Sequence, residues 1–120
     1  MPTCEPFDVV AVPFPYVERE VRKRRPTLVV CSPELAKKHG LLWVLMITSA
    51  ANPSWPEDVP ISDLATAGLP KPSVVRVCKI ATVETARCER IGRLSDDAAA
   101  AIAAALRRML AGAALPDYWA

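Results

Sequence analysis

Two short stretches of this chain carry groups suited to phosphate chemistry. The first is Arg22-Lys23-Arg24-Arg25, set against Pro26; the second is Thr48-Ser49, closing an apolar run over residues 42–47. A guanidinium presents five donors in a planar fork and stays charged at any working pH, so it suits phosphate recognition and the charge that develops during phosphoryl transfer. A threonine hydroxyl hydrogen-bonds the same kind of oxygen. With Arg19, five of the fifteen Lys and Arg residues fall within seven positions, so the formal net charge of +2 hides one concentrated basic patch. Each stretch also has an ordinary reading. A charge run is commonly a solvated loop, and Thr-Ser is commonly a strand residue followed by a turn hydroxyl.

Other chemistries have little support. The single histidine, His39, stands in Lys37-Lys38-His39-Gly40, where it reads as favourable charge at a helix C-terminus. No P-loop, G-x-G-x-x-G, H-E-x-x-H or G-x-S-x-G pattern occurs. Cys4, Cys31, Cys78 and Cys88 form no C-x-x-C pair and no metal-like spacing with His39. No cofactor and no metal ligand set is expected, and Cys31 and Cys78 read as small buried strand residues. The amino terminus lacks a basic segment followed by an apolar one, and the longest mostly apolar run is too short to span a bilayer. The expectation is a cytoplasmic protein with no membrane partner.

The elements that must position those groups are short. At 120 residues, residues 1–120 read as a single domain, and aromatics at 6% leave Val, Ile, Leu and Ala to build the core. Residues 8–14 and 27–31 read as apolar strands joined by an exposed loop over 16–25, with Pro26 pushing Arg25 towards extended geometry. Ser32-Pro33-Glu34 starts a helix that Gly40 stops. Residues 42–47 form the next strand, 50–57 a loop, and 59–61 a short edge strand. Residues 73–77 and 80–83 are strands with an irregularity between them, and 88–91 adds one more. Ser95-Asp96-Asp97 caps a C-terminal helix over about 96–110, with Ile102, Leu106, Met109 and Leu110 on one face and Gly112 just past its end. The pattern predicts a mainly β chain with a C-terminal α-helix: a small, strongly bent antiparallel barrel whose edges a second copy would cover.

In sequence order, Phe7-Asp8 through Tyr16, Lys23 through Val30, Ile47-Thr48-Ser49, Gly68 through Arg76, Lys79 through Val83 and Ile91 through Ser95 resemble the motifs of the MazF/PemK toxin endoribonucleases. The resemblance covers roughly residues 7–110. It implies an SH3-like barrel of the CcdB/PemK/MazF type, working as a homodimer in a type II toxin–antitoxin system. It also implies metal-independent, sequence-selective cleavage of single-stranded RNA to 2′,3′-cyclic phosphate and 5′-hydroxyl ends, and a cognate antitoxin lying over the RNA site. By the same resemblance Arg25 and Thr48 are the catalytic pair, while Arg22, Lys23, Arg24, Ser49 and Lys79 are candidates for RNA contact.

Two positions depart from the family pattern. Phe7-Asp8 stands where Gly-Asp often opens the first strand, and Lys79 stands where a relative carries glutamine. Trp55 is a candidate for base stacking or for a local hydrophobic clamp, and Tyr118 and Trp119 are expected to pack against the dimer or the helix. No general base is evident, because arginine and unaided threonine are poor proton acceptors. The competing functions are therefore a CcdB-like binder that poisons DNA gyrase and a degenerate family member that only binds RNA.

Overall fold

A computed structural model describes residues 4–13 and 24–111 of the chain. Strands β1 (Asp8–Val12), β2 (Arg25–Val29), β3 (Leu41–Ser49), β4 (Asp58–Ile61), β5 (Ser73–Glu84) and β6 (Glu89–Arg93) pair in the order β4-β5-β3-β2-β1-β6. Every neighbouring pair is antiparallel, and the sheet curls into a half-barrel with β4 and β6 as its edges.

Helix α1 (Pro33–His39) has the anticipated ends: the Ser32 hydroxyl accepts the Glu34 N–H, and Gly40 closes it in the left-handed conformation. Helix α2 (Leu64–Ala67) was not anticipated; Asp63 caps it and Gly68 ends it at φ 74°. Helix α3 (Asp96–Leu110) begins on Ser95, whose hydroxyl accepts the Ala98 N–H, and lies against β4 and β5.

The strands bury both faces. Val9, Leu28, Leu45, Ile47 and Val75 pack with Ile102 and Ala105 of α3, while Val10, Val12, Val29, Leu42 and Val44 form a second cluster against α1. Continuous apolar runs over residues 27–29 and 41–47 follow from that two-sided burial. The irregularity in β5 is a bulge. Leu45 opposes Ile80 and Met46 opposes Arg76, so residues 77–79 have no counterpart on β3. Three extra residues reverse the alternation. Val75 and Val77 face the α3 side, whereas Ala81 and Val83 face the α1 side.

That bulge corrects one expectation: Cys31 is buried, but Cys78, riding the bulge, is exposed. Burial pushes the Cys88 thiol up to about 11, which leaves it a weak nucleophile at neutral pH. The α3 face is also narrower than its periodicity predicts. Ala98, Ile102 and Ala105 are buried and Leu106 is half-buried, whereas Met109 and Leu110 stay exposed beside Trp43 and Ile80. An open cavity of about 390 Å³ separates this end of the helix from Trp43, Val77 and Ile80 of the sheet.

Phe7 explains the departure at the first strand. It adopts φ 72°, a conformation that suits glycine, while its N–H donates to the Val29 carbonyl and its ring packs on the core. Asp8 beside it is buried; its carboxylate accepts from Arg93 at 3.1 Å and the Glu5 N–H at 2.9 Å and pairs with Arg90 at 3.3 Å. This cluster fastens edge strand β6 to β1.

Candidate functional site

The β2–β3 ladder runs from Val29 opposite Val44 to Thr27 opposite Met46. Pro26 has no N–H to contribute, and the pairing ends beside it. Continuing the same register places Arg25 opposite Thr48, and cross-strand partners share a face. Both residues line one groove of about 420 Å³ at the strand ends, together with Arg24, Ser49, Asn52 and Lys71. Arg25 is half-buried at the start of β2, which corrects its expected place in an exposed loop. Its Nε is buried and meets no hydrogen-bond partner among the described residues. With Arg24 and Lys71 beside it, Arg25 makes the groove cationic, a surface suited to an anion's oxygens.

Other sequence candidates divide clearly. Arg24 lines the groove and donates from Nη1 to the Ala11 carbonyl at 3.2 Å. Ser49 also lines it, but its hydroxyl oxygen accepts the Ala51 N–H at 3.2 Å, so it shapes the turn after β3. Lys79 does not line this groove; it sits on the β5 bulge with its ammonium 5.7 Å from the Trp55 ring centre. Arg22, Lys23, Tyr118 and Trp119 lie outside the described residues.

Three contributors were not singled out from the sequence. Asn52 donates from Nδ2 to Thr48 Oγ1 at 2.7 Å. Lys71 adds a third cation, from the Pro-Lys-Pro segment that leads into β5. Arg76 holds the loop over residues 50–57. Its guanidinium makes two bonds to the Asp58 carboxylate, at 3.2 and 3.3 Å, and a third to the Pro53 carbonyl at 2.9 Å, while Trp55 covers its face at 4.4 Å. Trp55 thus serves the clamp reading, with part of its ring still exposed. The one available signal was an arginine set among valines, in Val74-Val75-Arg76-Val77.

Such an arrangement can bind a phosphodiester and stabilise charge on it. Among the described residues the groove is lined by hydroxyls, an amide and cations and by no carboxylate, a donor set that does not suit a hard divalent metal. Among the described residues no three His, Cys, Asp or Glu side chains come together as a metal site, and no helix is long and apolar enough to cross a membrane.

The fold matches solved structures across nearly the whole chain. One is MazE–MazF (form II) from Deinococcus radiodurans: TM-score 0.72, 19% identity, covering 92% of this chain and 98% of that one. An endoribonuclease in complex with its cognate antitoxin, from a mycobacterial species, matches at TM-score 0.70 and 17% identity, covering 97% and 100%. The Mycobacterium tuberculosis toxin MazF-mt6 matches at TM-score 0.66 and 22% identity, covering 84% and 93%. No curated protein matches the chain in sequence. Residues 5–110 fit the family model of the PemK-like, MazF-like toxins of type II toxin–antitoxin systems, and the chain belongs to that family.

Proposed function

We propose that this toxin is a metal-independent endoribonuclease that cleaves single-stranded RNA by intramolecular transesterification, with Arg25 and Thr48 as its catalytic residues. The observation that carries the reading is that Arg25 and Thr48 line one groove, with Arg24 and Lys71 adding positive charge beside them. In the reaction the ribose 2′-oxygen attacks the adjacent phosphorus, a 2′-O–P bond forms and the P–O5′ bond breaks. The 2′-oxygen loses its proton and the 5′-oxygen gains one, leaving a 2′,3′-cyclic phosphate and a 5′-hydroxyl. Because the nucleophile belongs to the substrate, the protein's task is in-line positioning and stabilisation of the pentacoordinate phosphorane. Arg25 would hold its equatorial charge and the leaving oxygen, while Thr48 would hold a non-bridging oxygen. Dependence on the 2′-hydroxyl gives selection of RNA over DNA without base contacts.

The cationic groove also suits an acidic antitoxin segment that folds on contact, and a D. radiodurans relative is solved as MazE–MazF. A homodimer would cover the exposed sheet edges. Incubation with mixed-sequence RNA in excess EDTA tests the activity. Cleavage with cyclic-phosphate ends, lost when the 2′-hydroxyl is removed, is the expected result. Salt-steep RNA binding without product would reduce the protein to an RNA binder, and inhibited gyrase supercoiling with RNA intact would make it a gyrase poison.

A further inference from the structure

Asn52 sits four residues beyond Thr48, on a turn that brings its side chain back over the end of β3. Ala50 N–H donates to the Pro72 carbonyl, Ala51 N–H to Ser49 Oγ, and Asn52 N–H to the Ser49 carbonyl at 3.1 Å. The next residue is pinned as well, because the Pro53 carbonyl accepts from Arg76, itself buried and locked on Asp58. The side chain placed this way donates from Nδ2 to Thr48 Oγ1 at 2.7 Å.

An amide nitrogen has hydrogens and no lone pair to offer, so in this contact the threonine oxygen is the acceptor. One lone-pair site of the hydroxyl is then filled, and its single proton is left to point elsewhere. Asn52 also lines the groove, beside Thr48 and Arg25. We propose that Asn52 is a positioning residue for Thr48: its amide fixes the hydroxyl rotor and turns the O–H towards a non-bridging oxygen of the scissile phosphate. This rests on the endoribonuclease reading and adds to it a polarity. Thr48 acts as a donor to the phosphate, in the orientation the developing negative charge requires. The Arg76–Asp58 pair serves the same end at one remove, since it holds the loop that carries Asn52. No reorganisation of the hydroxyl is then needed as the phosphorane forms.

The test uses the full chain and the oligonucleotide cut fastest from a mixed-sequence RNA pool, with kcat, KM and the unfolding midpoint measured for Asn52→Ala and Asn52→Asp. Losing one oriented hydrogen bond should lower kcat about tenfold in Asn52→Ala, with KM within about twofold. Aspartate suits the same turn and has the same size, so under a merely structural role kcat would survive Asn52→Asp, the added charge weakening RNA binding and raising KM alone. Under the proposal it does not survive: the carboxylate accepts the Thr48 proton, and kcat falls at least as far as in Asn52→Ala at an unchanged unfolding midpoint. Parental kcat in either variant overturns the assignment while leaving the endoribonuclease standing. Restored kcat in Asn52→Asp with loss in Asn52→Ala also overturns it, because the amide would then be a turn former alone. A parent protein that cuts no RNA overturns both readings together.

Discussion

Arg25 and Arg76 are the same side chain on neighbouring parts of one sheet, in opposite states. Arg76 is buried and makes three hydrogen bonds: Asp58 takes two, Pro53 a third, and Trp55 covers the planar face. Arg25 is half-buried, lines an open groove, and keeps a buried Nε with no partner among the described residues. A folded chain tolerates an unsatisfied cationic donor at some cost in stability, and such sites concentrate where a ligand completes them. Arg76 organises the loop, whereas Arg25 lines the groove. Substitution at each should separate the two roles.

The largest effect is expected at Arg25. Arg25→Ala should lower RNA cleavage on the order of 10³-fold or more, by analogy with the loss of other charge-stabilising groups in phosphoryl transfer. Its unfolding midpoint should change little, because no protein bond to Nε is lost. A variant that cleaves at the parental rate would make Arg25 a wall of the groove and nothing more.

Arg76→Ala should add a loss of stability that Arg25→Ala lacks. It strands the Asp58 carboxylate in a site where both side chains are 8% exposed or less, a change that typically costs about 3–5 kcal/mol. Chemical denaturation of Arg76→Ala beside the apolar double variant Arg76→Met with Asp58→Leu tests this. The double variant should recover most of the loss, since an unpaired buried charge is the costly species. Equal losses in both would mean that the pair contributes specific attraction beyond mutual neutralisation.

These two arginines also mark how far the sequence could be read. Arg25 was legible because its neighbours in sequence, the basic run and Pro26, carry the signal, and its partner Thr48 ends a recognisable apolar strand. The cap residues gave α1 and α3 their ends for the same local reason. Arg76 was not legible, because its meaning depends on Asp58 eighteen residues away, and only the β4–β5 register brings the two opposite each other. Cys78 and the end of α3 were misjudged through the same bulge and curl: alternation and helical period say which residues share a face, but not where the sheet beneath reverses or stops. Four residues of α2 are too few to show a period.

A smaller effect is expected from the groove's other cations. Lys71→Ala should weaken RNA binding uniformly across sequences and lower the slope of log affinity against log salt by up to about 1. The comparable change at Lys79, which stands by Trp55 and off the groove, should leave that slope closer to the parent's. If Lys79→Ala lowers the slope as much as Lys71→Ala does, the RNA path continues over the bulge and past the Trp55 ring.

The smallest effect comes from a third arginine, and it tests whether exposure alone separates an organising pair from an incidental one. Arg108 near the end of α3 donates to Glu57 Oε1 at 2.6 Å, tying the helix to the loop that Arg76 also holds. That hydrogen bond is the main reason the Glu57 carboxyl lies below its ordinary value near 4.5. A carboxyl whose folded pKa is depressed adds stability that is present above the unfolded pKa and is lost as pH falls through the folded one. The unfolding midpoint of the parent should therefore drop slightly more steeply below pH 4.5 than that of Glu57→Gln, and the difference should shrink in high salt. Arg76 should show no such salt sensitivity, because its partner is shielded from water. If the two pairs respond alike to salt, the Arg76 cluster is open to solvent, and the contrast between the two arginines of the sheet would have to rest on Arg25 alone.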